Sequence, residues 1–189
     1  MAENVKVLVA CEESGTVRDA FEAKGHDAWS CDILPSKKIG KHIQTDVRNV
    51  LWNDWDLMIA HPPCTRLCNS GVRWLSERDL WDDMKKSAEF FLTLLHAPIP
   101  KKALENPIPH KYARKLIGNY QQIIQPWMFG HPESKATCLW LRNLPPLMST
   151  VIETGREQRI WKLPPSKTRS QERSRTYEGI ANAMADQWG

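Results

Sequence analysis

Two short stretches of this sequence carry side chains able to do covalent chemistry, His61-Pro62-Pro63-Cys64 and Glu105-Asn106-Pro107. In the first, two prolines fix the backbone and remove amide donors, so the Cys64 thiol is held just past the apolar run 56–60. A cysteine so placed is a nucleophile where cations or amide dipoles favour its thiolate, and elsewhere a small buried hydrophobe. In the second, Glu105 and Asn106 follow the run 101–104; alone, Glu105 would pass for a helix-cap or surface carboxylate. Together the two ends supply a nucleophile and an acid that handles a proton.

A third stretch, Cys11-Glu12-Glu13-Ser14-Gly15, follows the run 5–10, and Asp32 lies seventeen residues beyond Gly15. That is near the spacing at which an acidic side chain holds the ribose hydroxyls of a nucleoside cofactor. It fits a surface aspartate in a turn before Pro35 about equally well. The turn has one glycine and no GxGxxG, and Glu12 and Glu13 repel phosphates, which disfavours a pyrophosphate-bearing ligand and suits a cationic nucleoside.

These residues need strands to hold them. Apolar runs at 5–10, 28–31, 56–60, 101–104 and 120–125 alternate with stretches of helical period, the pattern of βαβ units on a parallel sheet. Ser14 is expected to cap a helix through Val17, Ala20 and Phe21 that stops at Gly25. Ser76 to Asp79 reads as a capping box before the apolar face Leu80, Trp81, Met84, Ala88, Phe91, Leu92 and Leu95. A last helix is expected over 176–188, and no element can be placed between 126 and 165, where prolines interrupt the pattern.

With 189 residues, 41% hydrophobic and 25% charged, the chain suits one domain, 1–189, with one good core. No apolar run approaches a membrane span, the start lacks signal-peptide features, and five cysteines without a CxxC pair suggest free thiols; a cytoplasmic, metal-free protein is expected. The net charge of +4 is concentrated in 155–175, where seven basic residues face two acidic ones. Such a segment is either a phosphate-contacting surface or a solvated loop.

In order along the chain, strand one and its turn, Asp32, Thr45-Asp46-Val47, Pro62-Pro63-Cys64, Glu105-Asn106-Pro107 and Ile180-Ala181-Asn182-Ala183-Met184 resemble the motifs of S-adenosylmethionine-dependent DNA (cytosine-5) methyltransferases. The whole chain looks like a compact member, similar to small phage or prophage-encoded ones. The resemblance implies an α/β, Rossmann-like methyltransferase fold, a mostly parallel sheet with helices on both faces. It implies S-adenosyl-L-methionine as cofactor and DNA as partner. Cys64 and Glu105 would be catalytic. Ala10, Ser14 and Gly15 would line the methionine end, Asp32 the ribose and Asp46 the adenine, with Asn182 reaching the cofactor from the last helix. Pro63, Asn106, Arg173 and Arg175 would touch the substrate.

The sequence departs from the family pattern in its single-glycine first motif and in Glu-Asn-Pro for Glu-Asn-Val. The family's Gln-x-Arg-x-Arg is matched by Gln171 to Arg175, but just before the last helix rather than after Glu-Asn. Residues 108–154 are all that stand in for a recognition region, so C5 modification of a free pyrimidine nucleotide, or a catalytically silent nucleic-acid-binding protein, are the alternative readings. Trp74, Trp127, Phe129 and Trp140 are candidates to stack on bases.

Overall fold

A computed structural model describes residues 4–162, 164 and 173–189, with backbone alone at 160 and 161. Gln171 and Glu172 of the Gln-x-Arg-x-Arg match, and Lys167 and Arg169 of the basic segment, lie outside the described residues.

Seven strands form one sheet in the order β3-β2-β1-β4-β5-β7-β6. They are β1 (Lys6–Ala10), β2 (Asp27–Asp32), β3 (His42–Gln44), β4 (Leu57–Ala60), β5 (Lys101–Pro107), β6 (Gln122–Ile124) and β7 (Thr137–Arg142). The first five are mutually parallel; β7 runs antiparallel to both β5 and β6. The helices are α1 (Thr16–Ala23), α2 (Arg73–Glu77), α3 (Trp81–Leu95), α4 (Lys111–Ile117), α5 (Arg159–Lys162) and α6 (Glu178–Trp188).

Alternation along the strands divides the core in two. Leu8, Ala10, Met58 and Leu104 point to one face, where Phe91 and Leu94 of α3 and Ala113 of α4 cover them. Val7, Val9, Leu57, Ile59 and Ala103 point to the other, under Phe21 of α1 and Ile180 and Met184 of α6. Burial on both faces explains why β4, and β1 from Val7 onward, are continuously apolar. Among the described residues no helix is long and apolar enough to cross a membrane.

Several local expectations need correction. Ser76 sits inside α2, and Asp79 takes a left-handed φ of 48°. Hence α3 starts at Trp81 with no side-chain cap, and there is no capping box. Gly15, at φ 71°, occupies the N-cap position of α1 in place of Ser14. β5 does not stop at residue 104, because β7 continues to pair with it through Glu105, Asn106 and Pro107. Strand β7 fills the proline-rich region where no element was expected. Within 108–154, α4, β6 and β7 complete the sheet and its cover, and the connecting segments 125–136 and 143–154 bury Phe129, Glu133 and Leu147 while leaving other residues exposed.

Candidate active site

The parallel register of β4 with β5 aligns Ala60 with Leu104, so the next residues, His61 and Glu105, emerge side by side at the carboxyl end of the sheet. His61 Nδ1 lies 2.9 Å from Glu105 Oε1, off the line of an ideal hydrogen bond, and the side chains are 12% and 16% exposed. Burial pushes Glu105 up, but His61 and then Lys135 outweigh it and hold the carboxyl below its usual value. Burial likewise pushes His61 down, and Glu105 outweighs it, leaving the imidazole above its usual value. Each group thus favours the charged form of the other, and His61 Nε2 has no hydrogen-bond partner among the described residues.

Past His61, the chain turns. The Cys64 carbonyl accepts from the Leu67 and Cys68 amides at 2.9 and 3.0 Å, closing a single turn that sets the two thiols on one side. This turn is clamped to the segment after β5: the Asn69 amide donates to the Ile108 carbonyl, the His110 amide to the Leu67 carbonyl, and His110 Nε2 bonds the Arg66 carbonyl at 2.9 Å. His110 Nδ1 also accepts from the Ala113 amide as the cap of α4, which fixes its proton on Nε2. Cys64 and Glu105, forty-one residues apart in sequence, are thus joined through backbone bonds. Beside Cys64, a groove of 460 Å³ is lined by exposed Pro63 with Thr65, Arg66, Asp83, Lys86 and Ser87.

Lys135 was not foreseen as a site residue. It arrives because β7 is antiparallel: Thr137 pairs with Pro107, so the loop entering β7 lies over the exit of β5. Burial lowers the Lys135 ammonium below its usual value, while Glu105 and Cys64 pull it back up and Arg173 opposes them. Its amide donates to Gln125 Oε1 at 2.8 Å and its Nζ to the Arg175 carbonyl at 3.1 Å. Buried Glu133 steadies the same loop, bonded by Arg159 at 2.6 Å and by the Tyr177 hydroxyl, and His131 Nε2 accepts from the Gly179 amide. Arg173 is therefore close enough to repel Lys135, and Arg175, exposed, meets the site through its backbone. Asn106 is buried with its Oδ1 unpaired among the described residues, its Nδ2 bonding the Pro107 carbonyl at 2.5 Å.

At the ends of β1 and β2 the polar groups are engaged by the protein itself. Glu12, buried, accepts from the Val17 amide at 2.7 Å, the Arg18 amide and the Ser14 hydroxyl, so a carboxylate fills the N-terminus of α1 where a phosphate would bind. Ala10 is the buried last residue of β1, and Cys11 follows at φ 59°. Its thiol is pushed up to about 12 by burial, then by Asp32, Cys31 and Asp46, which places both carboxylates around it. Asp32 accepts from the Leu34 amide at 2.9 Å, and Asp46 is held by Arg48 at 2.5 Å. Fully buried Arg18 donates to Asp19, Ser30, Ser36 and the Ile39 carbonyl, tying the loop after β2 to α1. A Cβ at Gly15 would stand 2.5 Å from that guanidinium, so the position demands glycine. Asn182 is exposed on the second turn of α6, a helix packed on α1.

Two of the aromatic candidates are excluded by burial: Trp140, 1% exposed, packs edge-on to Phe91, and Phe129 belongs to the opposite core. Trp74 lies between the Arg73 and Arg78 guanidinium groups, each 4.1 Å from its ring, and Trp127 carries Arg156 at 3.8 Å.

No family model and no curated protein matches the sequence. Solved structures do. One, described as a DNA modification methyltransferase encoded within a prophage of E. coli, aligns with a TM-score of 0.51 at 14% identity, over 79% of this chain and 52% of its own. The Entamoeba histolytica methyltransferase EhMeth aligns with a TM-score of 0.51 at 16% identity, over 87% of this chain and 61% of its own. The chain thus spans between about half and three-fifths of the length of these structures. With the strand order above, the likeness shows a Rossmann-like methyltransferase fold.

Proposed function

We propose that this protein transfers a methyl group from S-adenosyl-L-methionine to C5 of cytosine in DNA through a covalent adduct with Cys64. The observation that carries the reading is the meeting of Cys64, Glu105 with its His61 partner, and Lys135 at the ends of β4, β5 and β7.

The residues at the ends of β1 and β2 fit the cofactor. Glu12 fills the helix terminus, so the site refuses a pyrophosphate, while Asp32 and Asp46 offer carboxylates to a ribose and an adenine amine. Ala10, Ser14 and Gly15 would hold its methionine end and Asn182 would approach from α6. Bound there, the cofactor supplies an electrophilic methyl group.

Cytosine C5 is a weak nucleophile until sulfur adds at C6. Cys64 forms that bond, electrons move toward N3 and C5, and the N3 end needs a proton. His61 and Glu105 share one proton above the carboxylate and neutral imidazole, which Glu105 can hand to N3 as the His61 ring neutralises. Lys135 offsets the negative charge on sulfur and carboxylate. After methylation the C5 proton leaves to solvent, the Cys64 bond to C6 breaks with its electron pair returning to sulfur, and the N3 proton goes back to Glu105 and His61. A duplex substrate must first expose its base, at a cost of a few kcal/mol. Arg173 and Arg175, with Trp74 and Trp127, are the groups here suited to phosphates and unstacked bases, Pro63 and Asn106 border the base, and loops 125–136 and 143–154 would do the recognising.

The test is transfer of labelled methyl from S-adenosyl-L-methionine to unmethylated duplex DNA, single strands and free cytidine nucleotides, followed by digestion to nucleosides. Label in 5-methylcytosine from DNA is expected. Label on an exocyclic amine contradicts the C5 chemistry, and equal label in free nucleotides contradicts the DNA substrate.

A further inference from the structure

Helix α2 follows the Cys64 turn directly and carries two guanidinium groups that the reaction above does not use. The 3₁₀ turn Asn69–Gly71 joins them, with the Gly71 amide donating to the Cys68 carbonyl at 3.1 Å. A Cβ at Gly71 would collide with the Thr65 carbonyl oxygen, so this turn packs against the residue next to Cys64 and requires glycine there. Leu75, 1% exposed, anchors α2 in the core beneath. At the surface, half-buried Trp74 holds exposed Arg73 and Arg78, each guanidinium carbon 4.1 Å from the ring centre.

The two cations therefore stand no more than twice that distance apart, about one Debye length at physiological salt, and they repel each other. Neither makes a hydrogen bond or an ion pair among the described residues, although Glu77 and Asp79 lie close in sequence. Nearby cations are treated otherwise: Arg66 faces Asp83 at 3.8 Å and Lys85 faces Asp82 at 3.0 Å. Stacking on an aromatic ring covers the flat face of a guanidinium and leaves its in-plane N–H groups open, in the fork that suits phosphate oxygens. With both its faces taken, the Trp74 indole offers none to a base and acts as a spacer between two such forks.

We propose that Arg73 and Arg78, set apart by Trp74, clamp the phosphate backbone of the nucleic-acid strand whose base meets Cys64. The inference rests on the reading of nucleic acid as the substrate. Phosphates bound there oppose two cations that nothing else opposes, and the counterions they release favour binding whatever the sequence. Such contacts fix register and leave base identity to be read elsewhere. Because Gly71 and Leu75 set α2 against the Cys64 turn, a strand held by the clamp keeps its place relative to the nucleophile.

The test is binding of fluorescently labelled duplex and single-stranded DNA of mixed sequence, read by anisotropy from about 50 to about 200 mM salt, with circular dichroism confirming the fold of each variant. In the double variant Arg73→Gln, Arg78→Gln, the slope of log affinity against log salt for the duplex is expected to become shallower by about 1.8, the share of two phosphates. Trp74→Leu keeps both charges but not their spacer, and is expected to weaken binding about two- to fivefold. The control double variant Lys24→Gln, Lys101→Gln removes as much charge just past α1 and at the start of β5, and should keep the wild-type slope. An unchanged slope in the arginine variant, while the wild type binds DNA, overturns the clamp and leaves the nucleic-acid reading standing. An equal loss in the lysine control overturns it too, because net charge rather than placement would then set the slope. A wild-type protein that binds neither duplex nor single strand at the lowest salt removes the nucleic-acid reading and the clamp with it.

Discussion

The two halves of the sheet's carboxyl edge treat their polar groups in opposite ways. At the ends of β1 and β2, Glu12 is saturated by amides and a hydroxyl, Arg18 by four partners, and Asp46 by Arg48. At the ends of β4, β5 and β7, His61 Nε2 and Asn106 Oδ1 are buried without partners among the described residues, two cysteines share one turn, and a lysine is lowered by burial. Burying such groups unpaired costs about 1–3 kcal/mol each, an expense a merely structural end would avoid. The first half is finished by the protein alone, as a rigid seat for a ligand. The second is strained toward a partner that would complete it.

Substitutions on each side should separate the two. Lys135→Met is expected to lower kcat roughly 10²-fold, with Lys135→Arg recovering part of it and cofactor affinity unchanged in both. Weaker cofactor binding by calorimetry, at normal kcat, would move Lys135 to the other half. Striking the saturated side, Arg18→Met strands four partners around an empty charge and should cost about 3 kcal/mol. A melting temperature within a degree of wild type would show that the guanidinium does not pin the loop after β2. Asp32→Asn should weaken S-adenosyl-L-methionine binding about tenfold while leaving kcat at saturating cofactor unchanged. An equal loss in both readouts would mean the halves are coupled.

The smallest effect concerns pH. Glu105 is held below its ordinary 4.5, so its contribution to stability is full above that value and is lost as pH falls through the lowered folded value. His61 is held above its ordinary 6.5, so its contribution is full below that value and is lost as pH rises through the raised one. The pair is thus worth most between 4.5 and 6.5. In Glu105→Gln the denaturant midpoint should be flatter across this window and its flanks, and an unchanged pH profile would show that the pair carries no charge.

What the sequence disclosed follows the same division. The parallel strands β1, β2, β4 and β5 are local βαβ units whose apolar runs and turn residues are contiguous, so their places, and with them Cys64 and Asp32 near strand ends, could be read directly, while the continuation of β5 through Glu105 could not, because it depends on pairing with β7. Lys135 could not be, because it reaches the site through an antiparallel partner, and Pro126, Pro132, Pro145 and Pro146 disguise the elements flanking it. His110 carries no local signal either, since its role in joining the Cys64 turn to α4 spans forty-four residues. The Ser76–Asp79 motif failed for a different reason: Leu80 and Trp81 are held by packing against the core, and that packing starts α3 without a cap. Burial, invisible in composition, decides that Trp140 is core while Trp74 stays at the surface between two arginines.

The central claim is a bond from Cys64 to cytosine C6, and trapping it is the most direct measurement. A duplex carrying 5-fluorocytosine in place of cytosine cannot lose its C5 substituent as a proton, so the adduct should persist. With S-adenosyl-L-methionine present, a protein–DNA complex that survives denaturing electrophoresis is expected, with the cross-linked peptide containing Cys64, and none with Cys64→Ala. Methyl transfer to ordinary DNA without any such complex, or a complex that persists in Cys64→Ala, would contradict it.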